Sequence, residues 1–138
     1  MLKFKQFVES KDKFEEDEEG HFNHRSNIGD NEIHVKYSPT SEEVNHQWRV
    51  DFSINGSTLD KHLLDHEVPK ALHFVHHSIK KFIKEKEPTH LYFYGNTPQK
   101  HHTYHAYTKA LAKKLGWHHY PSDGKYKSHI ISKEPNVP

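Results

Sequence analysis

The apolar residues of this chain recur first at every second position and then at every third or fourth, and that switch restricts the fold more than any other feature. Ile33, Val35 and Tyr37 alternate with Glu32, His34 and Lys36; after the polar stretch 40–45, Trp48, Val50, Phe52 and Ile54 alternate again. Each run would present one face to a core and one to water, and the short loop between them predicts an antiparallel pair of strands. From Val68 the spacing lengthens. Val68, Leu72, Val75, Ile79, Phe82 and Ile83 make one helical stripe, with Pro69 in the first turn and Pro88 beyond the end. His90–Gly95, HLYFYG, then reads as a short strand buried on both faces and therefore central in its sheet. A second helix follows Asn96 or Thr97 as cap, with Pro98 at its first position; Tyr104, Tyr107/Thr108, Leu111 and Leu115 form its stripe and Gly116 closes it. Residues 117–120 and 126–132 read as closing strands around a turn at 121–124. The order β-β-α-β-α-β-β predicts an α+β fold: a mixed β-sheet with two main helices packed on it.

Residues 1–30 read differently. Leu2, Phe4, Phe7 and Val8 form a small apolar cluster, and one or two helical turns would place Phe4, Phe7 and Val8 on one side, too little to stand alone in water. The acidic run Glu15–Glu19 and the polar, glycine-flanked stretch 20–30 follow, so 1–30 is expected to be a leader, an acidic tail and a linker, with a single domain over 31–138. No continuous apolar segment of secretory length opens the chain, and none is long enough for a bilayer, so no membrane partner is expected.

Of the 138 residues 32% are hydrophobic, which implies a small core, and the eight Phe, seven Tyr and two Trp supply much of its bulk. Cysteine is absent, which excludes disulfides, thiolate metal sites and cysteine nucleophiles. Charge is uneven. Residues 1–60 hold seven Lys/Arg against thirteen Asp/Glu, whereas residues 61–138 hold thirteen Lys, no Arg and six Asp/Glu. A basic half without arginine forks points to non-specific contact with nucleic acid, through Lys100, Lys109, Lys113 and Lys114, with Tyr92 or Tyr94 available to stack on a base. The alternative is that these lysines keep a core-packed helix in solution.

Sixteen histidines are the most unusual compositional fact. His73/His77 and His101/His105 stand four apart on the two helices, a spacing that lets two imidazoles meet one metal ion. Neither pair carries the glutamate of an H-E-x-x-H motif, and the first falls off its helix's apolar stripe beside Lys80, as a wetted face would. No P-loop, G-x-G-x-x-G or G-x-S-x-G element occurs, so no cofactor is expected.

Two resemblances add to this reading. The opening Met-Leu-Lys-Phe-Lys-Gln-Phe-Val-Glu resembles the leaders of late proteins of contractile-tailed bacteriophages, where a Phe-x-x-Phe-x-x-Glu pattern addresses a protein to the assembling head. That resemblance implies Phe4, Phe7, Val8 and Glu9 as a targeting or docking segment and phage structural proteins as partners. It also implies the host cytoplasm or the virion as location; the family's cleavage position would fall at Glu9-Ser10, with Phe7 where an aliphatic residue is usual. The segment from His90 to Lys133 is similar to the end of the Gcn5-related N-acetyltransferase fold, carried by the strand, the Asn before a helix, Tyr107 within it, Leu115-Gly116-Trp117 and a closing hairpin. That likeness implies a pair of central strands splayed to admit a coenzyme and Tyr107 as an acid. The family's glycine-rich phosphate cradle has no counterpart in STLDKHLLDHEVPK. The leading expectation is a non-enzymatic phage accessory protein; the enzyme alternative is a divergent acyl-CoA-dependent N-acetyltransferase.

Overall fold

The alternating and helical segments fold where their periods place them. The computed structural model describes residues 13–40, 46–55, 66–94, 98–122 and 128–135, the side chains of Gln99 and Lys100 excepted. Strands β1 (Glu15–Glu16), β2 (Phe22–Ile28), β3 (Asn31–Pro39) and β4 (Gln47–Ile54) precede helix α1 (Val68–Lys86). Then come β5 (His90–Phe93), α2 (Pro98–Leu115), β6 (His118–Tyr120) and β7 (His129–Ser132). All strands join one mixed sheet in the order β1-β2-β3-β4-β5-β7-β6, antiparallel except for β4 beside β5. The fold is α+β, with a seven-stranded sheet and two helices among the described residues.

Both helices cover the same face. On β3 and β4 the inward residues are Ile33, Val35, Tyr37 and Trp48, Val50, Phe52, Ile54, all buried. Helix α1 answers with Ala71, Val75, Ile79 and Phe82, also buried, and the Phe82 ring stacks on Tyr37 with centroids 4.0 Å apart. Its stripe is interrupted by Ser78, whose hydroxyl meets Tyr37 Oη at 2.7 Å and His24 Nδ1 at 2.8 Å, so the one polar position on the buried face is satisfied. Helix α1 ends where Glu87 turns left-handed (φ 50°, ψ 52°) and returns its N–H to the Ile83 carbonyl, with Pro88 preventing continuation. Helix α2 buries Tyr104, Thr108, Leu111 and Ala112. Gly116 (φ 71°) closes it, with Trp117 N–H on the Ala112 carbonyl and Gly116 N–H on that of Lys113, the paired bonds of a Schellman ending.

The structure corrects the reading of residues 13–30. Glu15 and Glu16 pair with Asn23 and Phe22, and Asp17 closes that hairpin by accepting the Glu19 and His21 N–H groups through Oδ1. Residues 22–28, expected as linker, pair with β3 along their whole length. The polar composition misled because the buried positions of β2 are Asn23 and His24, whose hydrogen-bonding capacity is met inside the fold: Asn23 Oδ1 by His34, His24 by Ser78. Phe14 is likewise no part of a solvated tail, its ring lying edge-on to Tyr37 (5.6 Å) and Phe82 (5.8 Å). The leader residues Phe4, Phe7, Val8 and Glu9, the 41–45 connection and the Asn96/Thr97 cap lie outside the described residues.

Candidate functional site

The parallel ladder between β4 and β5 is short. It pairs Gln47 with His90, Trp48 with Leu91 and Arg49 with Tyr92 and then stops, while β4 runs on to Ile54 and β5 keeps its other edge on β7 to Phe93. A strand edge released in mid-sheet leaves backbone donors to be satisfied another way. Tyr104 of α2 does this. Its ring packs on the helix-covered face against Phe52 (4.9 Å) and Phe93 (5.8 Å), and its Oη lies 3.5 Å from the Phe52 N–H, which donates to it. The same hydroxyl donates to Asp51 Oδ1 at 2.7 Å.

Asp51 is paired with Lys36 and neighbours Phe52, so its side chain leaves the sheet on the face away from the helices. The Tyr104 hydroxyl therefore passes between the parted strands and joins the two faces. Burial, and then the Asp51 carboxylate, raise the Tyr104 pKa, so the phenol stays protonated and acts as donor at neutral pH. Tyr107, the residue singled out from sequence, has its ring against Phe52 and Phe93, and its hydroxyl is buried without a hydrogen-bond partner among the described residues. Burial raises its pKa also.

At the N-terminus of α1, where an anion would be favoured, stands the buried carboxylate-bearing residue Glu67. A Cβ on Gly29 would collide with that carboxylate, which shows how closely the β2–β3 turn approaches it. The sheet face that carries Asp51 opens into a cavity of about 520 Å³, lined by His21, Lys36, Ser38, Thr40 and Arg49 as well as Asp51. A smaller groove runs between the helices past Leu72, His76, Tyr107, Leu111 and Lys114.

The histidine pairs separate into two environments. On α1, His73 and His77 are exposed. On α2, His101 and His105 are exposed but face the sheet end, where His129 and His119 meet them. His101 Nδ1 is 3.3 Å from His129 Nε2, and the His105 ring lies 5.5 Å from that of His129 and 5.9 Å from that of His119. The Ser122 N–H donates to His129 Nδ1, so neutral His129 carries its proton on Nε2, toward His101. Burial, followed by the neighbouring imidazoles, pushes the His129 pKa down to about 4. His119, whose Nε2 is 2.9 Å from Thr108 Oγ1, is lowered by burial and then by His105 and Lys109. Among the described residues no group of three or more His, Asp or Glu is arranged to hold a metal ion.

Of the lysines proposed for nucleic acid, Lys109 and Lys113 share one exposed face of α2. Lys114 turns toward α1, where it lines the interhelical groove beside His76; the side chain of Lys100 is outside the described residues. Sequence reasoning missed Tyr104 and Asp51 as partners because each obeys its local pattern, a stripe tyrosine and an outward strand aspartate; only the end of the β4–β5 ladder brings them together. No helix among the described residues is long and apolar enough to cross a membrane. No family model matches the chain, and neither a curated protein nor a solved structure matches it significantly.

Proposed function

We propose that this chain is a non-enzymatic bacteriophage accessory or virion-associated protein whose leader, around Phe4, Phe7, Val8 and Glu9, docks on a phage structural protein in the host cytoplasm or the virion. The leader's sequence supports the address. The observation that favours a non-catalytic domain is Tyr104: its hydroxyl already occupies the Phe52 N–H on the released edge of β4, and its ring with Phe52, Phe93 and Tyr107 fills the helix side of the gap. Glu67 at the start of α1 adds negative charge where a coenzyme's phosphates would seek a helix N-terminus. The test is to produce particles with a chain lacking residues 1–12. Loss of the protein from purified particles while the truncated chain stays folded is the expected result; undiminished incorporation overturns the address.

A second reading, a divergent acyl-CoA-dependent N-acetyltransferase, is favoured by one observation, the parting of the parallel pair β4 and β5 with a tyrosine–carboxylate bond in the gap. Calorimetry with acetyl-CoA decides between them. The first reading expects no saturable binding at micromolar concentration. Stoichiometric binding would replace it with the second and make Tyr104 and Tyr107 the residues to substitute.

A further inference from the structure

We infer that the groove between the two helices binds a small amphipathic carboxylate, an unbranched aliphatic acid whose chain lies along the groove and whose head meets Lys114 and His76. The two walls are built alike. One runs from Pro69 through Leu72 to His76 on α1 and the other from Tyr107 through Leu111 to Lys114 on α2, one lengthwise face of each helix. Lys114 is the charge that most opposes protonation of His76, so the two basic groups share one end. Each stands seven residues beyond the start of its wall, which leaves an apolar stretch roughly 10 Å long. At about 270 Å³ the groove is smaller than the ~300–1,000 Å³ usual for drug-sized ligands, which favours a slender chain over a ring system. Among the described residues the large hydrophobics left exposed are Val68 and Tyr94, so the apolar surface does not spread outward as a protein-docking patch would.

The head group follows from what the basic end lacks. No Asp or Glu occurs from Val68 to Lys84 on α1 or anywhere in α2. Burial lowers the His76 pKa, and the groups that add to it, Lys114, Lys80 and His73, include no carboxylate. Lys114 and Lys80 make no ion pair or hydrogen bond among the described residues. A carboxylate at this end supplies the missing counter-charge, with the imidazole of His76 beside Lys114 as a second polar contact. One lysine with an imidazole suits a monoanion. Phosphate calls instead for arginine forks or a free helix N-terminus, but neither helix contains arginine and Glu67 stands at the start of α1. Glu67 also puts negative charge two residues before Pro69, at the other end of the groove, and so sets the direction in which the chain lies. The inference rests on neither the leader nor acyl transfer.

The probe is octanoate, with acetate as the head alone and 1-octanol as the chain with a neutral head, each titrated against the full chain at neutral pH by calorimetry and by amide chemical shifts. Octanoate should bind saturably, at least about tenfold more tightly than acetate and more tightly than 1-octanol, with shifts at Leu72, His76, Ala110 and Lys114. Lys114→Gln, at an exposed position, should weaken octanoate about threefold or more and leave 1-octanol unchanged. Ala110 is exposed on the α2 wall, so Ala110→Trp should fill the groove without disturbing the core and abolish octanoate binding. If either variant fails to fold, the three probes on the unmodified protein still decide. No saturable binding of octanoate overturns the inference. Acetate binding as tightly would make this a bare cationic surface, and 1-octanol binding as tightly would make it an apolar slot indifferent to charge; either result overturns it too.

Discussion

His24 and His129 are both sealed from solvent, in opposite halves of one sheet, and they keep different company. His24 on β2 has a neutral partner, Ser78 Oγ at 2.8 Å, and the aromatic rings of Phe14 and Phe74, each 4.8 Å away. His129 on β7 sits among other imidazoles, with His101 at 3.3 Å and His105 and His119 close by. In the first half the histidine is a packing element held in a polar network with Tyr37. In the second, burial first and then the neighbouring rings, each opposing proton uptake by the next, bring the pKa of His129 down to about 4 against an ordinary ~6.5. The lesson is that a histidine-rich composition need not mean uniform pH response: burial lowers His34 on β3 and His76 on α1 as well, and at His129 neighbouring imidazoles add to burial.

The sign of that response follows from linkage. Because His129 binds its proton more weakly folded than unfolded, the unfolded chain gains protons first as pH drops below ~6.5, and stability falls until the folded form is protonated near 4. His119, lowered by burial, His105 and Lys109, adds in the same direction. The groups facing His129 are His101 and His105 from α2 and His119 from β6, so acid should loosen the α2–β6–β7 corner, with His34 on β3 and His76 on α1, both lowered chiefly by burial, adding smaller terms of the same sign.

Substitutions can break this contrast, and the largest effect belongs to the first half. Phe82 stacks on Tyr37 and meets Trp48 at 5.1 Å, so Phe82→Ala should cost about 3–5 kcal/mol in urea unfolding yet leave the fall in stability between pH 6.5 and 4 unaltered in slope. A flattened slope would mean that the acid response comes from the aromatic half. Ser78→Ala removes the shared partner of His24 and Tyr37 and should cost about 1–3 kcal/mol, again without altering the slope. His129→Gln works the other way. Glutamine keeps an acceptor for the Ser122 N–H but does not titrate, so the melting temperature at pH 7 should move little while its decline toward pH 4 becomes shallower. An unchanged decline would place the titrating groups elsewhere.

The same contrast explains what could be read from the sequence. Elements β3, β4, α1, β5 and α2 were legible because their cores are apolar at regular spacing, as Val35/Phe52 and Val75/Ile79/Phe82 show. Strand β2 was not, since its buried residues are Asn23 and His24 and its apolar ones, Phe22 and Ile28, stand at the ends. A signal was present in Gly29-Asp30, the two-residue link across which Ile28 pairs with Asn31, with Gly29 at φ 61°. The histidine corner and the Tyr104–Asp51 bond depend on which strands become neighbours. Strand β7 slips between β5 and β6, and the β4–β5 ladder ends after three pairs; neither leaves a local pattern.

The smallest effect should come from the N-terminus, where Lys13 divides two kinds of apolar residue. On one side Phe14 contributes a ring to the corner formed by His24, Tyr37 and Phe82, and Lys81 lies 5.8 Å from its centroid. Phe14→Ala should therefore cost about 1–3 kcal/mol, the half-buried fraction of a full aromatic deletion. On the other side Leu2, Phe4, Phe7 and Val8 are few and interspersed with charge, a composition suited to docking on a partner rather than to holding a core together. Deleting residues 1–12 should change unfolding free energy by less than about 0.5 kcal/mol, the range of substitutions remote from any core. Thermal melts of the two variants side by side measure the difference. A deletion as costly as Phe14→Ala would make the leader part of the same aromatic corner, and its role as a separate docking segment would fall with it.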